Sequence, residues 1–141
     1  MAEPFAMGLV HVPMLVKGTR GRSRTVRMLV DSGAVWSLLP EVDWKALGLK
    51  PSRTCEFALA DGTVIARAIS DCRFCYEGIE APSPVILGEA GDVALVGAVT
   101  LESLALVLNP FDRSLKPMRL LLMQLRGGNC TRPQSASLLH A

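Results

Sequence analysis

No stretch of this chain is apolar for long enough to cross a membrane. A membrane helix needs ~18 consecutive apolar residues, and the longest patches here, such as Leu104 to Leu108 and Leu120 to Met123, have only strand length. Charge of one sign is also lacking. The net charge of +2 over 141 residues is too small to argue for a nucleic-acid partner. Histidine is scarce, and His11 and His140 stand alone. The first residues, Met1 to Met7, show no basic region followed by an apolar one, so no signal peptide is expected. A cytoplasmic protein with reduced thiols is the expectation.

Hydrophobic residues make up 50% of the chain and charged residues 20%, a globular balance rather than a disordered one. The length suits one domain with a core of its own. Basic residues gather in two places, Lys17, Arg20, Arg22, Arg24 and Arg27, then Arg113, Lys116, Arg119, Arg126 and Arg132. Solvated loop and strand faces explain them; an acidic partner or substrate is the alternative. The four cysteines are Cys55, Cys72, Cys75 and Cys130. Cys72-Arg73-Phe74-Cys75 has zinc-knuckle spacing. No second pair accompanies it, and on a strand residues three apart point to opposite faces. Free structural thiols are therefore expected, with no metal and no cofactor.

Short strand-like runs dominate. Gly8 to Val16 reads as a strand, the Gly-rich Lys17 to Ser23 as a hairpin connection, and Thr25 to Val30 as the returning strand. Leu38 and Leu39 suit a short buried strand. Pro40 to Gly48 is the best helix signal, with proline in the first turn, acidic residues near the start, Val42, Ala46 and Leu47 on one face, and Gly48 as C-cap. Cys55 to Ala60 and Thr63 to Ile69 flank Asp61-Gly62, a two-residue turn signal. Asp71 to Tyr76, Pro84 to Leu87 and Val93 to Val96 are further strands, with a turn at Glu77-Gly78. Thr100 could cap a short helix over Leu101 to Leu104. Ala105 to Leu108 and Leu115 to Leu125 close the pattern, joined by a turn over Asn109 to Arg113. From Gly127 onward the composition is that of a disordered tail. The expectation is an all-β barrel or sandwich of one domain, with one or two short helices.

Chemistry concentrates in one place. Val26 to Val30 ends on Asp31-Ser32-Gly33-Ala34, followed by the apolar stretch Val35 to Pro40. A carboxylate delivered by an apolar strand, then a small hydroxyl residue and a glycine, suits an aspartic-protease turn. In such a site two carboxylates about 3 Å apart cannot both ionise and share one proton. One takes a proton from water that attacks the scissile carbonyl, and the other donates to the carbonyl oxygen. Gly33 permits a tight turn, Ser32 offers a hydroxyl across to a second copy, and Val30, Ala34 and Leu38 keep the surroundings apolar.

From these residues outward the chain resembles the retropepsin-like aspartic proteases, in particular their small bacterial members. Val30 to Ala34 is similar to their Asp-Thr/Ser-Gly-Ala motif, Met7-Gly8-Leu9-Val10 to their start, and Leu38-Leu39-Pro40 with Leu47-Gly48-Leu49 to the segment after it. Leu59-Ala60-Asp61-Gly62-Thr63 resembles the flap hairpin. Ala94 to Glu102, with Leu95, Val96 and Gly97 at its heart, resembles the second apolar-Gly segment and its helix. Leu106 to Pro110 and Leu115 to Pro117 resemble the closing strands. The resemblance implies a retropepsin-like domain over 7–125, an extension at 1–6 and a tail at 126–141. It implies Asp31 as the catalytic residue, Ser32, Gly33 and Ala34 as its turn, and Ala60, Asp61, Gly62 and Thr63 as the flap.

The chain departs from that pattern at Val35, often Thr in the small bacterial proteins, at bulky Trp36, expected to fill the core in preference to lining a pocket, and in having no flap tyrosine. A second Asp-Thr/Ser-Gly is absent, so with this motif count and length a two-lobed monomer is not expected. The resemblance implies a homodimer acting on peptide or protein, with Asp31 of each copy at the two-fold axis and the terminal strands as interface. The competing reading is a catalytically inactive dimerisation or peptide-binding module on the same fold. A metal-binding domain built on Cys72 and Cys75 ranks third.

Overall fold

The computed structural model describes residues 9–109 and 111–118. The extension at 1–6, the start at Met7-Gly8, the tail at 126–141 and the part of the final strand after Met118 lie outside the described residues. Nine strands and two short helices follow in the order β1 (His11–Lys17), a 3-10 turn (Thr19–Gly21), β2 (Ser23–Val30), β3 (Ser37–Leu39), α1 (Glu41–Ala46), β4 (Arg53–Ala58), β5 (Val64–Tyr76), β6 (Ile79–Leu87), β7 (Leu95–Val96), α2 (Ala98–Ser103), β8 (Leu106–Asn109) and β9 (Ser114–Pro117). No helix among the described residues is long and apolar enough to cross a membrane.

β1 and β2 alternate as a half-buried pair should. Val12, Met14 and Val16 face inward beside Val26, Met28 and Val30, while His11, Pro13, Thr25 and Arg27 face out. Seven strands form one sheet in the order β1-β2-β7-β3-β6-β5-β4, and β1 also pairs with β5 through Leu15–Lys17 and Arg73–Cys75. That extra pairing closes six strands into a barrel and leaves the β4 arm outside it. β8 and β9 form a separate two-stranded sheet. The all-β single domain expected from the sequence is the one observed. Met14, Met28, Leu39, Leu47, Phe74 and Val96 are wholly buried inside, and Leu101 of α2 and Leu104 just after it join them.

Several elements differ from expectation for identifiable reasons. The strands expected at Thr63 to Ile69 and Asp71 to Tyr76 are one 13-residue strand. Ser70 does not break it, because its first half pairs with β4 and its second with β6. The loop before it has three residues rather than two. Gly62 N–H donates to Leu59 O at 2.9 Å and Leu59 N–H to Thr63 O at 2.7 Å, and Gly62 has φ +89°, the arrangement of a type I turn with a glycine bulge. On α1, Val42 and Ala46 are exposed, and the inward residues are Asp43 and Leu47. Asp43 can face inward because Arg24 Nε donates to its Oδ1 at 2.7 Å. Thr100 is not a cap but lies within α2, whose N-cap is Gly97.

Cys72 is buried in the barrel wall while Cys75 is only half-buried, so the pair splits between two faces. Burial pushes the Cys72 thiol up to about 12, far from the thiolate a metal requires. At the β1–β5–β6 junction Glu80 holds Lys17 at 2.8 Å and Arg73 at 2.5 Å. Hydrogen bonds from Lys17, then Arg73, hold the Glu80 carboxyl below its ordinary range. The Glu80 hydrogen bond raises Lys17.

The signs set a window. The depressed carboxyl stabilises above its ordinary value and loses that as pH falls through its folded value. The raised ammonium stabilises below its ordinary value and loses that as pH rises through its folded value. Glu80→Gln should therefore lower the melting temperature between about pH 5 and pH 10, and the gap to wild type should vanish in acid. Thermal unfolding followed by circular dichroism across pH checks this.

Candidate active site

Asp31 follows directly on the last residue of β2, and its position is set by what β2 lies against. β7 pairs with β2 in parallel through Leu29–Leu95 and Val30–Val96, and Asp31 N–H donates to Val96 O at 2.9 Å. The turn then closes on itself. Ala34 N–H donates to Asp31 O at 3.1 Å, and Gly33 N–H donates to Asp31 Oδ1 at 3.0 Å. Asp31 is half-buried, while Ser32 and Gly33 are exposed. The apolar surroundings are uneven: Val30 is buried, but Ala34 and Leu38 are only partly so.

The chain after the turn is bound to the segment after β7. Ala98 N–H donates to Ala34 O at 2.8 Å and Val99 N–H to Val35 O at 2.9 Å. Gly97 N–H donates to Ser37 Oγ at 2.9 Å. A Cβ on Gly97 would lie 2.6 Å from the Trp36 carbonyl carbon and 2.7 Å from its oxygen. Only glycine permits this approach. The structure thus brings two expected site segments together, Asp31 to Ala34 and Leu95 to Gly97.

Behind them lies a chain of buried hydroxyls that the sequence reading missed. Ser37 and Thr100 are fully buried and Ser83 nearly so. Ser83 Oγ donates to Pro84 O at 3.1 Å. A hydroxyl has one proton, so the 2.8 Å contact of Ser83 with Thr100 takes its proton from Thr100. The 2.5 Å contact of Thr100 with Ser37 then takes its proton from Ser37, which itself accepts from Gly97. The chain runs in one direction from the Gly97 amide to the Pro84 carbonyl and leaves no hydroxyl proton unused. Its signal in the sequence was Ser37, polar in an apolar run and two residues from core-facing Leu39.

The third expected segment stands apart. Ala60, Asp61, Gly62 and Thr63 form the exposed tip of the β4–β5 hairpin. Thr63 N–H donates to Asp61 Oδ1 at 2.8 Å and holds the Asp61 carboxyl below its ordinary range. Among the described residues no hydrogen bond joins this tip to Asp31–Ala34. The link is made lower down, by Trp36. Its indole is partly exposed rather than part of the core. It meets Phe57 of β4 edge to face, with centroids 5.7 Å apart, and the Arg53 guanidinium lies 5.2 Å from its ring centroid. An aromatic pair of this kind contributes about 0.5–1.5 kcal/mol, enough to bias the hairpin without locking it. Among the described residues, no group of three or more His, Cys, Asp or Glu is placed to hold a metal ion.

This barrel is the retropepsin-like fold. The chain is similar to EIAV protease complexed with the inhibitor HBY-793, with a TM-score of 0.52 and 15% sequence identity over 67% of this chain and 86% of that one. It is also similar to the simian foamy virus (mac) protease in its solution structure, with a TM-score of 0.46 and 16% identity over 64% and 92%. At these identities the likeness is one of fold. No family model matches the chain, and no curated protein matches it.

Thr100→Val keeps the shape and removes the middle hydroxyl, leaving Ser37 without an acceptor and Ser83 without a donor. It should cost about 1–3 kcal/mol of stability, whereas Thr100→Ser should stay close to wild type. Urea unfolding measures both.

Proposed function

We propose that this chain is one half of an aspartic endopeptidase, completed by a second copy of itself. The observation that carries the reading is the Asp31 turn. A carboxylate with one oxygen fixed by Gly33 N–H sits on a loop bonded to β7 and α2, in a fold shared with a retroviral protease. The second carboxylate oxygen is left for a partner carboxylate and a water. The sequence supplies Asp-Ser-Gly once, so the partner is Asp31 of the other copy.

In that dimer one Asp31 is ionised and takes a proton from the water, and the other is protonated and hydrogen-bonds the scissile carbonyl oxygen. The two titrate as a unit. Ser32 and Gly33 face the partner. The β4–β5 hairpin, with Ala60 to Thr63 at its tip, acts as the flap, and an extended peptide lies beneath it. Exposed apolar side chains support this use of the surface: Val35 beside the turn is 65% exposed and Val64 near the hairpin tip 57%. Leu59 adds to them.

Cleavage of a peptide library across acidic to neutral pH tests the reading. Asp31→Asn should abolish turnover, and activity that survives it overturns the assignment. Peptide binding without turnover, unchanged by Asp31→Asn, would instead identify a binding module. The shared site makes a sharper demand. When wild type and Asp31→Asn are mixed and allowed to exchange, only wild-type pairs cut, so an equal mixture should retain about a quarter of the undiluted activity. A site complete within one chain would retain half.

A further inference from the structure

One concavity among the described residues has no part in the Asp31 turn, the hairpin tip or the Leu95–Gly97 segment. It is a cavity of about 790 Å³ between the 3-10 turn, the end of α1 and β5. We propose that it binds a small multiply charged phosphate ligand. Four cations line it, Arg20, Arg22, Lys45 and Lys50, against a single carboxylate, Asp71. Lys45 is engaged with Glu41, but Arg20, Arg22 and Lys50 make no ion pair with another described residue. Four like charges around one concavity repel one another, and a bound anion removes that penalty. Two guanidinium forks with two ammonium groups favour phosphate oxygens over a lone carboxylate. The volume falls within the range of small-ligand sites.

The cradle is built rather than incidental. Thr19 N–H donates to Leu47 O at 3.0 Å, and Gly18 N–H to Arg22 O at 2.8 Å. Thr19 Oγ1 donates to Gly48 O at 3.2 Å. The two Thr19 bonds occupy carbonyls at the end of α1, which would otherwise oppose an anion. Gly18 lies so close to α1 that a Cβ there would stand 2.2 Å from Leu47 O. Arg20 is held at φ 54°, ψ 40°, a left-handed conformation that a bulky residue adopts only at a cost. The strain fixes where its side chain leaves the turn. The Trp44 indole supplies an apolar wall, anchored by its Nε1–H donating to Gly88 O at 2.8 Å.

The test is a titration of the full-length isotopically labelled chain with inorganic pyrophosphate, followed by amide chemical shifts at constant ionic strength. The expected result is saturable shifts confined to Thr19–Arg22, Lys45–Lys50 and Ser70–Asp71. Arg20→Asn keeps a residue that tolerates the left-handed turn, and paired with Arg22→Gln it should weaken binding about tenfold or more. Arg73→Gln, at the β1–β5–β6 junction, should leave binding unchanged. A nucleoside triphosphate in a second arm shows whether the Trp44 wall adds affinity. Shifts spread over all basic side chains without saturation, or equal binding by the Arg20→Asn/Arg22→Gln variant, would overturn the proposal. Neither outcome depends on proteolytic activity, so this site and the Asp31 site stand or fall separately.

Discussion

The Gly97 amide hydrogen bond to Ser37 Oγ is the contact on which the candidate site depends. Asp31 ends a strand, and a strand end alone does not fix the loop beyond it. The loop is fixed because Gly97 brings its backbone within contact of Trp36, which no other residue could do. Ser37, Thr100 and Ser83 then pass the hydrogen bonding on to β6. Burying three hydroxyls in an apolar core is costly if any is left unpaired. When all are paired in one direction, the network holds a single arrangement of the loop. The two turns that flank the barrel's open end, after β2 and after β7, are thereby one unit.

That unit also explains the barrel's connectivity. β7 is only two residues long, too short to hold a place in a sheet by its own hydrogen bonds. It is held between β2 and β3 by Gly97, Ala98 and Val99, which donate to the loop on the other side. β5 performs the complementary task at the opposite wall. Its inner half closes the barrel against β1, and its outer half carries β4 away from the core. The hairpin tip is therefore anchored to the barrel by an unbroken strand and braced by the Trp36–Phe57 contact.

Much of this was legible in the sequence, because the signals were local. Alternation in β1 and β2, Asp-Ser-Gly after an apolar strand, Pro40 before a short helix and Gly62 in a hairpin each follow from the preferences of neighbouring residues. What was missed was decided by distant partners. Val42 and Ala46 made a plausible inward face for α1, but Arg24, 19 residues away from Asp43, allowed that acid to turn inward instead. Thr100 resembled a cap because its hydroxyl partners, Ser37 and Ser83, lie on other strands. Trp36 resembled a core residue because size alone does not reveal that Phe57 and Arg53 would receive it at the surface. Ser70 was polar where a break was expected, yet it lies in register across β6 and the strand runs through it.

The distribution of satisfied groups around Asp31 bears on why one copy would be incomplete. On its inner side the loop is bonded to Val96, Ala98, Val99 and Gly97. On its outer side Ser32 and Gly33 are exposed and Val35 is an apolar side chain in solvent. In the proposed dimer a two-fold axis would make such asymmetry necessary. If each loop shifts by a given distance toward the axis, the separation of the two carboxylates changes by twice that distance, because symmetry moves both. A displacement of about 0.5 Å, the tolerance of a working catalytic constellation, would become about 1 Å between the two carboxylates of the proposed dimer. A symmetric site therefore needs each half held more tightly than an ordinary active-site loop. The bonds behind Asp31, none of them in the reacting position, provide that restraint.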